Sequence, residues 1–229
     1  MNEQLAFKHQ IPTLSILNSD KLFPVHRVYC VGQNYAAHAI EMGSDPNRQS
    51  PFFFSKPADA VHQLNEIPFP SMTDNLHHEV ECVVVLASGG YNITPEQAED
   101  LIFGYATGVD LTRRDLQAAA KEKGRPWCTS KGFDLSAPVS AITRKKDWQF
   151  DASATISIVV NGERRQEAQL NQLIWSIPEL LSELSKYYEL RAGDVIFTGT
   201  PAGVSILATG DDVVASIEGL ASCQFKVVS

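Results

Sequence analysis

The chain has 229 residues, 44% of them hydrophobic and 20% charged, with a formal net charge of −8. That length supports one sizeable core, and the composition is that of an ordinary globular protein. The acidic balance argues against a general nucleic-acid binder, which needs a basic surface to displace counterions, and no apolar run reaches the 18 residues of a membrane span. Residues 1–10 lack the apolar stretch of a signal peptide, which predicts a cytoplasmic protein. Cys30, Cys82, Cys128 and Cys223 are widely spaced, so free thiols are expected rather than disulfides or a zinc cluster.

No repeat or linker divides the chain, so residues 1–229 read as a single catalytic domain. Residues 1–25 form an irregular lead-in. A first strand at 28–31 is broken by Gly32-Gln33-Asn34, and a short helix at 35–42 is closed by Gly43. Residues 43–50, polar and containing Pro46, predict a mobile surface loop. Phe52-Phe53-Phe54 is a second short strand. The clearest strand is 78–87, apolar on both sides from Val80 onward and ended by Gly89-Gly90. Thr94-Pro95-Glu96-Gln97 has the residues of a helix start. A strand at 104–110 leads into a helix at 113–123 that Gly124 terminates. Residues 155–160 followed by Asn161-Gly162 predict a β-hairpin. An amphipathic helix is expected at 176–190, with Ser176 and Glu179 as capping box and an apolar face of Ile177, Leu180, Leu181, Leu184, Tyr187 and Tyr188. Short strands at 194–197, 213–217 and 223–228 complete the chain. Strands outnumber helices without βαβ alternation. The class is mixed α+β, mainly β, with rolled sheets and a few peripheral helices.

Residues i and i+2 of a strand share a face, so Glu79 and Glu81 point the same way. They could be solvated edge residues. The apolar run that follows marks a central strand, however, where two like charges repel unless a cation lies between them. Asp110 ends the next strand, whose face carries the small residues Gly104, Ala106 and Gly108, a surface that another backbone or a ligand could approach closely. Asp110 could equally cap the helix after it. Three carboxylates without a His or Cys cluster select a hard cation, Mg²⁺, Mn²⁺ or Ca²⁺, over zinc. His77 and His78 are adjacent in a strand and face opposite ways, which disfavours a shared metal. His38 and Glu41 lie three apart in the short helix and either face one cleft or decorate the surface. Trp127, Trp148 and Trp175 read as core or interface aromatics.

Together these residues sit in seven ordered motifs: Val31-Gly32-Gln33-Asn34-Tyr35 with His38 and Glu41; Phe54-Ser55-Lys56-Pro57; His78-Glu79-Val80-Glu81; Gly104-Tyr105 through Asp110 to Asp115; Lys131-Gly132-Phe133-Asp134; Val160-Asn161-Gly162-Glu163; and Thr198-Gly199-Thr200-Pro201-Ala202-Gly203-Val204. The sequence resembles the fumarylacetoacetate hydrolase family from Val28 onward, and within it the short branch of acylpyruvases and oxaloacetate decarboxylases. Gln33 stands where this branch often has a basic residue, and Ser205 where glycine is common.

The resemblance implies a β-sandwich roll, a homodimer, and Mg²⁺ or Mn²⁺ on Glu79, Glu81 and Asp110, with Ca²⁺ as a substitute in crystals. It implies a small oxo-acid substrate and no nucleic-acid or membrane partner. Breaking a C–C bond of a β-dicarbonyl acid leaves an enolate that such a metal stabilises. Lys131 and Lys56 would add positive charge near the substrate, and Gly199 and Thr200 would bind its carboxylate. Arg114 and Gln117 follow the metal aspartate on its helix and are expected to reach the site. The resemblance also favours the catalytic reading of the His38–Glu41 pair, as base toward water or proton shuttle, within a lid at 35–50. Acylpyruvate hydrolysis is the leading expectation. Oxaloacetate decarboxylation or tautomerisation, isomerisation of a 2-hydroxy-diene dioate, and a non-catalytic β-roll holding structural Ca²⁺ are the alternatives.

Overall fold

The computed structural model describes residues 6, 10–43, 45 and 47–229. Its centre is a six-stranded sheet in the order Thr143–Arg144, Ile102–Val109, Val80–Leu86, Asp194–Phe197, Arg27–Gly32, Phe52–Lys56. All neighbours are antiparallel except Asp194–Phe197 with Arg27–Gly32. This sheet is covered on both faces, which explains the unbroken apolar run of strand Val80–Leu86. Val80, Cys82, Val84 and Leu86 join the core toward a second sheet. Val83 and Val85 join Leu14, Phe23, Ala106 and Phe197 on the opposite side.

The second sheet orders Glu163–Gln169, Thr155–Val160, Asp212–Ile217, Cys223–Val228 and Glu66–Pro68. Strands Thr155–Val160 and Asp212–Ile217 alternate buried with half-buried or exposed positions, the signature of a sheet with one wetter face. The turn at Asn161-Gly162 takes positive φ at both residues, 52° and 81°, as the hairpin sequence requires. The helices are short: α1 (Ala36–Glu41), α2 (Pro95–Ala98), α3 (Arg114–Glu122), α4 (Cys128–Lys131) and α5 (Ile177–Leu184). Among the described residues no helix is long and apolar enough to cross a membrane.

Several expectations need correction. Residues 1–25 are not wholly irregular, because Thr13–Ser15 and Leu22–Pro24 pair as a hairpin. The strand expected at 78–87 is broken at Glu79, with Leu76–His78 pairing Thr112–Arg113 and Ser205–Leu207 instead. Helix α5 stops at Leu184, and Tyr187 and Tyr188 are exposed rather than on its apolar face. Of the loop expected at 43–50, Ser44 and Pro46 lie outside the described residues. Arg48 and Gln49 are tied down: Arg48 pairs with Glu179 at 2.7 Å and stacks 4.0 Å from the Trp175 ring, whose Nε1 donates to the Gln49 carbonyl.

The sheet directions gather one end of the molecule. The start of Val80–Leu86 and the ends of its two antiparallel neighbours, Ile102–Val109 and Asp194–Phe197, fall together. The end of Arg27–Gly32, parallel to Asp194–Phe197, joins them. The segments holding Glu79, Glu81, Asp110, Gly199 and Gln33 therefore converge.

Buried and half-buried histidines add a pH dependence to this core. The Leu64 N–H donates to His62 Nδ1 at 3.1 Å while Nε2 faces the Leu135 carbonyl at 3.1 Å, a pattern only the neutral ring satisfies. Burial lowers the pKa of His62, His77 and His78, that of His77 to about 4. Unfolded histidine protonates near pH 6.5, so as pH falls from there toward 4 the unfolded chain gains protons that the folded chain resists, and stability is lost. The thermal midpoint is expected to drop across this window, less steeply in His62→Gln. A midpoint flat from about pH 7 to 5 would contradict the assignment.

Candidate metal centre and active site

Glu79 and Glu81 precede and open their strand, and Asp110 follows the end of the adjacent one, where its N–H donates to the Glu79 carbonyl at 2.8 Å. One oxygen from each of the three carboxylates lies within 4.8 Å of the others, and all three residues are buried. Asp110 does not cap α3, whose N-cap residue is Arg113 and whose first-turn Leu116 N–H is accepted by Asp115. The small face beside it serves packing: a Cβ on Gly108 would meet Val83 Cγ2 at 2.6 Å and Phe197 at 2.8 Å.

Three cations offset this charge unevenly. Lys131 Nζ donates to Glu79 Oε2 at 2.8 Å and to Asp110 Oδ2 at 2.6 Å. Arg114 pairs with Glu79 Oε1 at 2.5 Å, and Lys56 Nζ lies 2.8 Å from Asp110 Oδ1. The Lys56 contact is an ion pair rather than an aligned hydrogen bond, since Asp110 Oδ1 accepts none. Burial works to raise the Glu79 pKa, but Lys131 and Arg114 outweigh it and hold the carboxyl well below its ordinary range. Glu81 has no ion pair among the described residues. Its Oε2 accepts the Gly199 N–H at 2.6 Å, and burial with Asp110 and Glu79 nearby pushes its pKa well up. An all-oxygen set with one uncompensated carboxylate and one hydrogen-bond-free oxygen fits a hard divalent cation.

Glu79 and Glu81 floor a narrow cavity that His38, Gln33, Arg114, Gln117, Lys121, Lys131, Trp127, Phe52, Phe54 and Thr200 also line, with Asp110 beneath it. His38, buried on α1, has Nδ1 2.9 Å from Glu41 Oε2, and the other Glu41 oxygen accepts the Gly203 N–H at 2.9 Å. Glu41 stands behind the histidine rather than in the cavity wall. Arg114 donates to Gln117 Oε1 at 2.6 Å, so the first turn of α3 presents both. Gly199 adopts φ 102°, and a Cβ there would meet Asn34 Cβ at 2.6 Å, which makes glycine necessary where the chain turns to aim its N–H at Glu81.

Lys56 is absent from the wall. Its ammonium is engaged by Asp110 and the Leu111 and Lys131 carbonyls, so it supports the carboxylate end from behind. Sequence reading missed three groups. Lys121 lies seven residues after Arg114 on α3, a helical spacing that could have revealed it. Trp127, expected as a core or interface aromatic, edges Phe52 and Phe54 at 5.4 and 5.8 Å to form an aromatic wall. Asn34 bonds the Thr198 and Trp175 carbonyls and the Trp175 N–H, joining three segments that nothing local connects.

Fold and site together fit an enzyme of metal-assisted C–C bond chemistry, and the comparisons give its family. The family model described as fumarylacetoacetate (FAA) hydrolase C-terminal matches residues 27–228, and the chain belongs to that family. It is 38% identical over 184 residues to a fumarylpyruvate hydrolase of Ralstonia sp, covering 80% of this chain and 95% of that one. It is 41% identical over 201 residues to a mitochondrial oxaloacetate tautomerase of Mus musculus, covering 87% and 90%. A crystal structure of fumarylpyruvate hydrolase from Pseudomonas aeruginosa, in complex with Mn²⁺ and pyruvate, superposes with a TM-score of 0.96 at 47% identity, covering 99% of both chains.

The uneven compensation gives a test. Glu81→Gln can still accept the Gly199 N–H while removing a buried, repelled charge. Calorimetry should show Mn²⁺ affinity reduced more than about 100-fold, beyond the loss expected from an outer-shell change. The thermal midpoint of the metal-free protein should rise. Unchanged Mn²⁺ binding would remove Glu81 from the ligand set.

Proposed function

We propose that this chain hydrolyses acylpyruvates to pyruvate and a carboxylic acid. The observation that carries the reading is His38: Glu41 holds its Nδ1, and its ring lines the same cavity as Glu79 and Glu81. With Nδ1–H donated to Glu41, Nε2 is the basic nitrogen. A divalent cation on Glu79, Glu81 and Asp110 would supply Lewis-acid stabilisation of the enolate that C–C cleavage produces. Arg114, Gln117 and Thr200 bind and orient the pyruvyl carboxylate, and Lys131 keeps the carboxylate cluster ordered beside it. His38 takes a proton from water as the oxygen adds to the acyl carbonyl carbon. The C–C bond then breaks, its electron pair passes to the pyruvyl fragment, and the proton held by His38 goes to the new methyl carbon. Water is thereby divided between the two products.

Lys121 points to the acyl group. It lines the cavity, and no carboxylate among the described residues engages its ammonium. A cation at that distance along α3 from Arg114 suits an acyl chain ending in a second carboxylate. The fumarylpyruvate hydrolases among the relatives support this choice. Oxaloacetate tautomerisation or decarboxylation at the same centre is the second reading, favoured by the similarity to the mouse tautomerase.

Purified protein should cleave fumarylpyruvate and acetylpyruvate, stop with EDTA, and recover with Mg²⁺ or Mn²⁺. His38→Ala should lower acylpyruvate kcat by about 10²- to 10⁴-fold while sparing oxaloacetate decarboxylation, which needs no activated water. Lys121→Met should raise KM for fumarylpyruvate about tenfold and leave acetylpyruvate unaffected. No acylpyruvate turnover by Mn²⁺-loaded protein, with oxaloacetate converted, would move the assignment to the second reading.

A further inference from the structure

Strand Glu163–Gln169 is the edge of the second sheet and is charged and exposed along most of its length, yet Gln166 within it is buried to 1% exposure. The register with strand Thr155–Val160 slips at this point, Ile158 facing Gln166 and Val159 facing Arg164, so Arg165 is an extra residue. Such a bulge re-aims its neighbours. Here it accompanies an amide turned inward, and Gly203 packs so closely on the Arg165 carbonyl that a Cβ would collide with it.

The hydrogen bonds of that amide have only one consistent direction. Gln166 Oε1 lies 3.1 Å from the Val80 N–H, which can only donate, and Nε2 lies 2.7 Å from the Pro201 carbonyl, which can only accept. The amide orientation is therefore forced, and the second hydrogen on Nε2 goes to Thr200 Oγ1 at 2.8 Å. His78 Nδ1, 2.9 Å from Gln166 Oε1, must be the protonated nitrogen. His78 Nε2 then accepts from Ser205 Oγ at 2.8 Å. Donation runs one way, from Ser205 through His78 and Gln166 to Thr200. Thr200 Oγ1, already an acceptor, keeps its own hydrogen for another partner, and Thr200 lines the cavity.

We propose that Gln166 is a positioning residue that, with His78 and Ser205, fixes the Thr200 hydroxyl as a hydrogen-bond donor into the cavity, aimed at the carboxylate of the bound oxo acid. The proposal rests on the functional reading above only in requiring that Thr200 meet a substrate carboxylate. A carboxylate is acceptor-only, so a hydroxyl whose lone pair is already occupied from behind is matched to it before it arrives. Ser205 starts the series.

The test is a double-variant cycle on the Mn²⁺-loaded protein, read by pyruvate binding in calorimetry and by KM and kcat for acetylpyruvate. Gln166→Glu keeps the shape but sets an acceptor against Thr200 Oγ1, drawing its hydrogen away from the cavity. Gln166→Glu and Thr200→Val should each weaken pyruvate binding by about 10- to 100-fold, the effect of one hydrogen bond to a charged group. The double variant should be no worse than either single one, Thr200→Ser should restore near-native binding, and Mn²⁺ affinity should not change. Should Gln166→Glu fail to fold, Ser205→Ala with Thr200→Val completes the same cycle, with a smaller loss that vanishes in the Val background. Additive losses, or a Thr200→Val protein that binds pyruvate as tightly as the native one, would overturn the proposal. Native protein that binds pyruvate with these dependences but cleaves no acylpyruvate would overturn the hydrolase reading alone. Native protein that binds no pyruvate would overturn both.

Discussion

Everything in this site depends on three carboxylates held out of water at one end of a sheet. Burying a charge is costly unless it is paired, and the cost is met here by two lysines and one arginine with 3% or less and 12% of their side chains exposed, respectively. The compensation is complete for Glu79 and Asp110 and missing for Glu81. That asymmetry is one a divalent cation would relieve, and a closed structural ion-pair cluster would lack it. A closed network would leave no carboxylate repelled by its neighbours, whereas Glu81 is pushed upward by burial and by both of the others. Lys131 is central to the arrangement, because one ammonium bridges the two compensated carboxylates and sets their spacing.

The fold supplies that geometry through strand direction. Antiparallel pairing of Val80–Leu86 with Ile102–Val109 places a strand beginning beside a strand end, and so sets Asp110 next to Glu79 and Glu81. The parallel pair of Asp194–Phe197 with Arg27–Gly32 sends two further strand ends the same way. One delivers the Gly199 N–H to Glu81, and the other leads into α1 and His38. Coverage of both sheet faces keeps the floor rigid, since an interior packed at crystal-like density does not let a carboxylate drift.

Much of this was legible in the chain itself. The i, i+2 spacing of Glu79 and Glu81 before an apolar strand announced a shared buried face, and Asp110 at the end of another strand completed the set. The hairpin at Asn161-Gly162 and the capping boxes at Thr94 and Ser176 are local rules that tertiary packing left alone. What was not legible depended on contacts distant in sequence. Lys56 looked like a substrate cation, but the strand carrying it ends against Asp110 and the Lys131 carbonyl, 54 and 75 positions away. Gln166 sits in a charged segment that reads as pure surface, and only the bulge at Arg165 turns it inward. Helix α5 ends at Leu184, where the buried Ser185 hydroxyl donates to the Ser182 carbonyl and accepts the Ile93 N–H, and the tyrosines that follow are exposed.

His38 and the three carboxylates are built on elements of different self-sufficiency. The carboxylates stand on strands buried on both sides, whereas His38 stands on a helix of six residues, too short to persist by its own hydrogen bonds. Its place is set by tertiary ties at both ends. At the start, Asn34 bonds the Thr198 carbonyl and both backbone groups of Trp175. At the far end Glu41 accepts the Gly203 N–H, and beyond it Arg48 pairs with Glu179 over the Trp175 ring. The first set is buried or half-buried and links backbone to amide. The second relies on exposed charged side chains, whose pairing is worth about 1 kcal/mol or less. The start of α1 is therefore held more firmly than its end, and Glu41, the group that orients His38, belongs to the weaker set of ties.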